Sequence, residues 1–195
     1  MAPRGVVTKE KIIDEAIRLY NKQGIESTSI NDLIAVTGLT KGSLYFHFQS
    51  KDELSFAALE KAKIRFLEFL DKALTGKTPG EGLENFFKRV VETHRSTGFV
   101  GGCLFGNAAL EMSDKDRRMA ALVGDVFGEW IKKIRNTVQA AQARGQVRDD
   151  LPADVLARHI VMTIEGGIML ARLEKSEKHL KDCLKSLRTL IALKR

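Results

Sequence analysis

Apolar side chains recur along this chain at steps of three and four residues, the spacing that places them on one face of an α-helix. The pattern predicts about nine helices, beginning near Thr8, Ser29, Lys41, Ser50, Leu83, Cys103, Asp114, Pro152 and Ser176. The fifth covers about residues 83–95 and the seventh about 114–144. No segment shows the alternation typical of strands, so the predicted fold class is all-α.

The stretch from Ser29 to Lys51 is the most informative part of the sequence. Ser29 with Asp32 three residues later is a variant of the capping box, which predicts a helix start. Gly38 predicts the end of that short helix, because glycine enters the left-handed conformation without steric cost. Thr40 can cap the next helix, Lys41–His47. Two short helices joined by a glycine-containing turn predict a helix-turn-helix.

The exposed side of the second short helix carries hydrogen-bond donors and cations that suit phosphate oxygens and base edges. We predict DNA contacts from Thr40, Lys41, Ser43, Tyr45, His47 and Lys51, with Gly42 allowing close approach. Thr28 and Ser29 join this set because they stand at a helix start, where backbone N–H groups favour a phosphate. An ordinary helical corner without function is the alternative that the pattern leaves open.

The run TSINDLIAVTGLTKGSLYFHFQSKDEL resembles the signature of the TetR family, and the similarity is nearly continuous from Ile12 to Leu54. The resemblance implies a three-helix DNA-binding domain over residues 1–52 and a helical ligand-binding and dimerisation domain over 53–195. It also implies a homodimer bound to a double-stranded operator, most often a repressor that a small-molecule inducer releases from DNA.

Charge alone does not locate the DNA-binding region. The chain has 32 Lys and Arg against 25 Asp and Glu, a net charge of +7 that favours an anionic partner. Residues 1–51 hold 7 basic and 5 acidic side chains, a net +2, and the remaining 25 and 20 leave +5 elsewhere.

Other sequence features predict a cytoplasmic protein without a membrane partner. Met1–Val7 lacks the apolar core of a signal peptide, and the later apolar run Ile160–Ile164 ends at Glu165. Cys103 and Cys183 stand far apart and form no disulfide framework. No motif predicts a metal or a cofactor.

The last two predicted helices suit dimerisation. Gly166 and Gly167 lack side chains where helices could approach closely, and the last helix carries a broad apolar stripe. TetR relatives pair two such helices from each subunit into a four-helix bundle. The predicted interface is Gly166, Gly167, Leu180, Cys183, Leu184, Leu187, Leu190 and Ile191. Burial of both stripes against their own chain is the alternative.

Candidate inducer contacts fall into two groups. The bulky apolar candidates are Phe66, Phe69, Phe86, Phe105, Phe127, Trp130 and Met162. At helical spacing such residues more often form plain core packing. Polar side chains on inward faces are His94, Asn107, Glu111 and Glu165. His94 could instead be a satisfied boundary histidine, and the glutamates could pair with nearby arginines.

Cys103 supports a sharper hypothesis. The segment Gly102-Cys103-Leu104 resembles the place where some TetR relatives carry an oxidant- or electrophile-sensing cysteine. A thiol at a helix N-terminus has a depressed pKa and therefore more thiolate. A buried, unreactive cysteine is the alternative, and Cys183 on the apolar stripe is expected to be of that kind.

Two rival functions remain to be weighed. An all-α enzyme could use Cys103, His94 and Glu111 as nucleophile, base and acid. The chain contains no nucleophile elbow, phosphate loop, HExxH or CxxC motif, so we predict that it is not an enzyme. The second rival is a DNA-binding protein whose C-terminal half binds a protein partner instead of a small molecule.

Overall fold

The computed structural model describes the backbone of residues 4–194 and the side chains of residues 8–194. The described chain forms nine α-helices and no strand: α1 (Arg4–Gln23), α2 (Ile30–Thr37), α3 (Lys41–His47), α4 (Lys51–Ala73), α5 (Pro79–Ser96), α6 (Leu104–Met112), α7 (Arg117–Ala143), α8 (Ala153–Glu174) and α9 (Lys178–Leu190). The predicted all-α class is confirmed. The side chains of Met1–Val7, on which the signal-peptide expectation rests, lie outside the described residues. Among the described helices, none has an apolar stretch long enough to cross a membrane.

α1 begins at Arg4, earlier than the predicted Thr8. The starts of α5 and α7 also differ from those predicted, because of local capping. α5 begins at Pro79, four residues earlier than expected, since Thr78 caps it and proline suits the first turn. α7 begins at Arg117, three residues later than expected. The Asp116 carboxylate accepts hydrogen bonds from two backbone N–H groups of its first turn, at 2.8 and 3.1 Å.

The chain divides into two compact units that are not contiguous in sequence. The first unit contains the chain up to Arg65 together with Leu104–Gly124. The second contains Phe66–Cys103 and the chain from Asp125 onward. α6 therefore belongs to the same unit as α1, α2 and α3, a grouping that a division at residue 52 does not anticipate.

The core of the first unit is mostly apolar and contains a buried hydroxyl pair. Ile12, Leu33 and Leu44 are completely buried, as the helical spacing predicts. Ser55 on α4 donates a hydrogen bond of 2.9 Å to the phenolic oxygen of Tyr20 on α1, and both side chains are buried. Burial raises the pKa of Tyr20 to about 12, so the phenol stays neutral.

The apolar stripe of α9 belongs to the core of the second unit, where α9 packs against α8. Its buried members are Leu180, Leu184, Leu187 and Ile191, with Leu190 and Cys183 partly buried beside them. Gly167 is also buried, and a Cβ there would overlap Cys183 Sγ. This corrects the predicted dimer interface for the five buried residues, because their own chain already covers them, whereas for the partly buried Cys183 and Leu190 it stays a prediction. The eighth, Gly166, has open space at its Cβ position.

Gly167→Ala is expected to lower the free energy of unfolding. The added methyl overlaps Cys183 Sγ and forces α8 and α9 apart, at a cost of about 1–3 kcal/mol. That cost exceeds the gain of about 1 kcal/mol in helix propensity. Urea denaturation followed by circular dichroism measures the difference.

Gly128→Ala in α7 is the matched control, because nothing lies within 4 Å of its added Cβ. It is expected to leave stability unchanged or raise it by up to about 1 kcal/mol. The double variant Gly167→Ala/Cys183→Ala should regain most of the loss. Equal stability of Gly167→Ala and Gly128→Ala would contradict the close approach of the two helices.

Candidate functional site

The local geometry of residues 29–48 is that of a helix-turn-helix. Ser29 caps α2 in a full capping box: its hydroxyl accepts from the Asp32 N–H, and the Asp32 carboxylate accepts from the Ser29 N–H. Gly38 ends α2 in the left-handed conformation, with φ of 69°. Thr40 then caps α3 by accepting from the Ser43 N–H at 3.2 Å. Each of these three predicted local features is confirmed.

α3 is held by two apolar anchors and exposes the side between them. Leu44 and Phe48 are buried, whereas Lys41 and Tyr45 are exposed, with the Lys41 ammonium 6.0 Å from the centre of the Tyr45 ring. Thr40 and Gly42 are also exposed, and Ser43 and His47 are half-buried. The structure therefore brings six of the predicted DNA-contact residues onto one short, partly exposed helix and its cap.

The Thr28 side chain is not available for DNA, which corrects the prediction for that residue, whereas Ser29 is exposed and its DNA contact stays a prediction. Thr28 is completely buried, and its hydroxyl donates to the carbonyl of Gly24 at 2.6 Å. The Ser29 hydroxyl donates to the Asp32 carboxylate at 2.8 Å. That carboxylate already occupies the N-terminus of α2, and hydrogen bonds from Ser29 lower its pKa. The chain thus supplies its own anion where a phosphate was expected.

Two lysines hold the loops that flank the helix-turn-helix. The Lys11 ammonium donates at 2.8 Å to the carbonyl of Thr37, in the last turn of α2. The Lys51 ammonium donates at 2.9 Å to the carbonyl of Glu26, in the loop before α2. Each bond satisfies a carbonyl without a backbone partner in its helix or loop. Lys51 keeps two further N–H groups for another acceptor.

Phe46 is absent from the sequence-based prediction although it is the more exposed of the two large exposed aromatic residues of α3. Its side chain is 84% exposed, and its ring lies edge-on to the ring of His47 at 5.2 Å. A phenyl group left exposed to water loses about 1.5–3 kcal/mol of the stabilising free energy that its burial would give. The spacing could have revealed it, because a residue two positions after Leu44 lies about 200° around the helix.

Glu111 ties α6 to the loop between α1 and α2, a role that differs from the predicted ligand contact. Its carboxylate accepts from the backbone N–H groups of Ile25, at 2.8 Å, and Glu26, at 3.1 Å. A Cβ at Gly24 would overlap the same carboxylate, so the loop fits closely around it. Charge-assisted bonds to backbone N–H groups are among the strong ones. Glu111 therefore fixes the loop that leads into α2.

Five of the predicted apolar candidates form an aromatic cluster in the second unit. The Trp130 ring centre lies 5.2 Å from that of Phe66, 6.5 Å from Phe86 and 5.9 Å from Phe127. Phe69 stacks on Phe66 at 6.3 Å. Trp130 is buried, and among the described residues its indole N–H has no hydrogen-bond partner. A buried donor without an acceptor is costly, so this N–H is the polar group of the cluster best placed to recognise a ligand.

The remaining apolar and amide candidates lie elsewhere. Phe105 and Asn107 belong to α6 in the first unit. Met162 is 64% exposed on the outer side of α8, which corrects its assignment as an inducer contact. The helical pattern alone did not separate these faces, because α8 is apolar on more than one side.

His94 is a satisfied histidine at the edge of the second unit's core, the alternative weighed above. Its Nδ1 lies 2.8 Å from the carbonyl oxygen of Val90, which can only accept, so Nδ1 carries the proton. Burial lowers the pKa of His94 below its ordinary value of 6.5. At neutral pH the imidazole is therefore uncharged.

Cys103 and Glu165 form a thiol–carboxyl pair inside the second unit. Burial raises the pKa of Glu165 to about 6, and a hydrogen bond with Cys103 opposes that rise. Glu165 Oε1 is buried and, among the described residues, has no partner. Cys183 differs: its thiol donates to the carbonyl of Leu180 at 3.1 Å, and burial raises its pKa to about 11. Cys183 is thus packed and poorly ionised.

The comparisons with known proteins agree with this geometry. The family model described as "Bacterial regulatory proteins, tetR family" matches residues 12–58. The model described as "Tetracyclin repressor-like, C-terminal domain" matches residues 79–187, more than half of the chain. The chain belongs to the TetR family.

Individual TetR-family relatives match along nearly the whole chain. The transcriptional regulator AcuR of Cereibacter sphaeroides is 30% identical over 89% of this chain and 80% of its own length. The HTH-type transcriptional repressor DhaR of Mycobacterium sp. (strain GP1) is 24% identical over 90% and 88%. A TetR transcriptional regulator from Chloroflexus aurantiacus superposes with a TM-score of 0.85 at 35% identity, covering 97% and 96%. The chain is a DNA-binding transcriptional regulator and not an enzyme.

Proposed function

We propose that this TetR-family regulator is a cytoplasmic, homodimeric repressor, which binds its operator through α3 and leaves it when a small molecule binds in the second unit. Residues 1–52 would bind DNA, and residues 53–195 would bind the ligand and the second subunit. The observation that supports the DNA-binding part most directly is the exposed side of α3, held between the buried Leu44 and Phe48. DhaR, a relative, is named as a repressor.

The predicted contacts divide into two chemical kinds. Lys51 lies outside α3 at the start of α4, where its remaining N–H groups suit a phosphate. Thr40 and Lys41 lead α3, whose exposed side is the part that would enter the major groove and meet base edges. Gly42 has nothing within 4 Å of its Cβ position, so its role would be to let DNA approach.

Lys51→Ala and Lys41→Ala are expected to have different effects on DNA binding. Loss of a phosphate contact in Lys51→Ala should weaken binding to all duplexes alike and reduce the slope of log Kd against log salt by about one. Loss of a base contact in Lys41→Ala should change which operator is preferred. Selection from random-sequence duplexes, followed by anisotropy titrations at several salt concentrations, measures both effects.

Lys77→Ala is the control, because this exposed lysine lies in the loop between α4 and α5. It should leave both the preferred operator and the salt slope unchanged. An unaltered salt slope in Lys51→Ala would remove the phosphate contact from the proposal. Equal losses on every sequence in Lys41→Ala would show that Lys41 does not read bases.

The outer side of α8 supports a dimer, although with different residues from those predicted. Val155, Met162 and Met169 follow one another at steps of seven, and all three are at least half exposed. Leu173, which is 75% exposed, extends the same side, and Gly166 lies between the two methionines. A continuous apolar stripe of this kind marks a surface for a partner. A second copy is the occupant that family resemblance implies, since two recognition helices about 34–36 Å apart fit successive turns of DNA.

Met169→Glu is expected to break the dimer, because a carboxylate in an apolar interface would lose its hydration. Sedimentation equilibrium should then give the 21.7 kDa mass of one chain instead of twice that value, and operator affinity should fall. Leu110→Glu is the control, since Leu110 is 89% exposed on α6. A Met169→Glu protein that stays dimeric would exclude this side of α8 as the interface.

The proposed inducer site is supported by the aromatic cluster with its unpaired indole N–H and by the Cys103–Glu165 pair. An inducer that prefers the non-binding conformation by about 1–3 kcal/mol would release DNA. α4 is one continuous helix from Lys51 to Ala73 and contributes to both units, so it is the proposed lever.

For an electrophile such as an activated alkene, Cys103 sulfur would bond to the β-carbon. The π electrons would pass to the α-carbon, and Glu165 would relay the thiol proton there.

Treatment with N-ethylmaleimide is expected to release the operator from the parent protein but not from Cys103→Ser. Cys183→Ser is the control and should respond like the parent protein, because burial keeps Cys183 protonated. Anisotropy of a labelled operator follows release, and mass spectrometry locates the adduct. Identical release from the parent protein and Cys103→Ser would remove the electrophile hypothesis and leave a non-covalent inducer.

A further inference from the structure

The exposed phenyl ring of Phe46 is unexplained by the folding of its own chain. The neighbouring anchors Leu44 and Phe48 are both buried, whereas Phe46 is 84% exposed and has the edge-on His47 ring beside it. The ring thus stands outward from the one element of the chain proposed to enter DNA. A partner that covers this ring would explain why an aromatic residue occupies the position.

The charge around Phe46 indicates what that partner is. Residues 33–51 contain no Asp or Glu, and they carry Lys41, Lys51 and His47. Tyr45, beside Phe46, is 40% exposed and adds a hydroxyl donor. A stretch whose charged side chains are all cations suits an anionic partner, and a DNA duplex, the partner in the proposed function, is anionic.

A phenyl ring limits which part of a duplex it can contact favourably. It has no hydrogen-bond donor or acceptor, so it gains nothing from phosphate oxygens or from the polar edges of bases. In the major groove the apolar group on a base edge is the C5-methyl of thymine. We infer that Phe46 reads a thymine methyl group in each half of the operator.

This inference rests on the proposed function and adds a specificity rule to it. The polar residues of α3 would form hydrogen bonds with the edges of some bases. Phe46 would add the requirement for an A·T pair with thymine on a defined strand. Burial of one methyl group is worth about 0.8 kcal/mol, which is about fourfold in Kd. Two half-sites would give about fifteenfold.

The test replaces single thymines of the selected operator with deoxyuridine, which removes the methyl and keeps every hydrogen-bonding group. In the wild-type protein, one position in each half-site should show the fourfold loss, and the doubly substituted operator about fifteenfold. Phe46→Ala should bind the thymine operator about as weakly as the wild type binds the uracil operator. Replacing thymine with deoxyuridine should then leave the operator affinity of Phe46→Ala unchanged. Its thermal melt should match the wild type, because the side chain is exposed.

Two further variants sharpen the comparison. Phe46→Leu keeps an apolar side chain and should retain part of the discrimination between thymine and uracil. Tyr45→Phe leaves Phe46 unchanged and removes only the Tyr45 hydroxyl. It should therefore discriminate between thymine and uracil as strongly as the wild type does.

Three outcomes would overturn the inference. If the wild type and Phe46→Ala respond alike to uracil at every position, the methyl groups are not read by this ring. If Phe46→Ala weakens binding but uracil has no effect, the ring contacts a sugar instead. In both cases tight binding of the thymine operator leaves the proposed function standing. Failure to bind any duplex would overturn the proposed function together with the inference.

Discussion

The burial of Leu44 and Phe48 is the interaction on which the DNA-binding surface depends. α3 has seven residues, and a helix of that length is not stable in water by itself. Its two apolar anchors hold it in place, and the cap at Thr40 fixes where it begins. Because the anchors are four residues apart and lie on one face, Tyr45 and Phe46 between them point away from the core, and His47 lies at its edge. The same constraint that stabilises α3 thus determines which groups it presents.

Polar bonds to backbone groups complete the support of this helix-turn-helix. The loop before α2 is held from two directions, by the Glu111 carboxylate on its N–H groups and by the Lys51 ammonium on a carbonyl. Lys11 holds the loop after α2 in a similar way. Apolar packing sets the position of α2 and α3, and these bonds restrict the loops between them. α6, which carries Glu111, begins directly after Cys103 in the chain. A change at Cys103 would therefore act at the residue that precedes the helix whose far end fixes that loop.

The second unit has two apolar surfaces, of which one is buried and the other is exposed. The apolar stripe of α9 is largely buried against its own chain. Gly167 allows α8 and α9 to approach closely at Cys183. The outer side of α8 keeps methionine and leucine side chains in water. Between these surfaces the core holds a few polar groups, notably the indole N–H of Trp130 and the carboxyl of Glu165. Such groups are costly in an apolar core, and the proposed inducer site rests on them.

The sequence by itself determined the all-α class, the helix-turn-helix and the family, because each is encoded locally. Capping residues such as Ser29 and Thr40, the turn at Gly38 and the three-to-four spacing of apolar residues act within a few positions of the chain. Only the tertiary structure decided that Thr28 is buried, that Glu111 binds loop amides, and that α9 faces its own core while Met162 and Met169 do not. These outcomes depend on which of several apolar or polar faces meets a neighbour distant in sequence. Periodicity shows that a face exists, but the partner that covers it is chosen by packing.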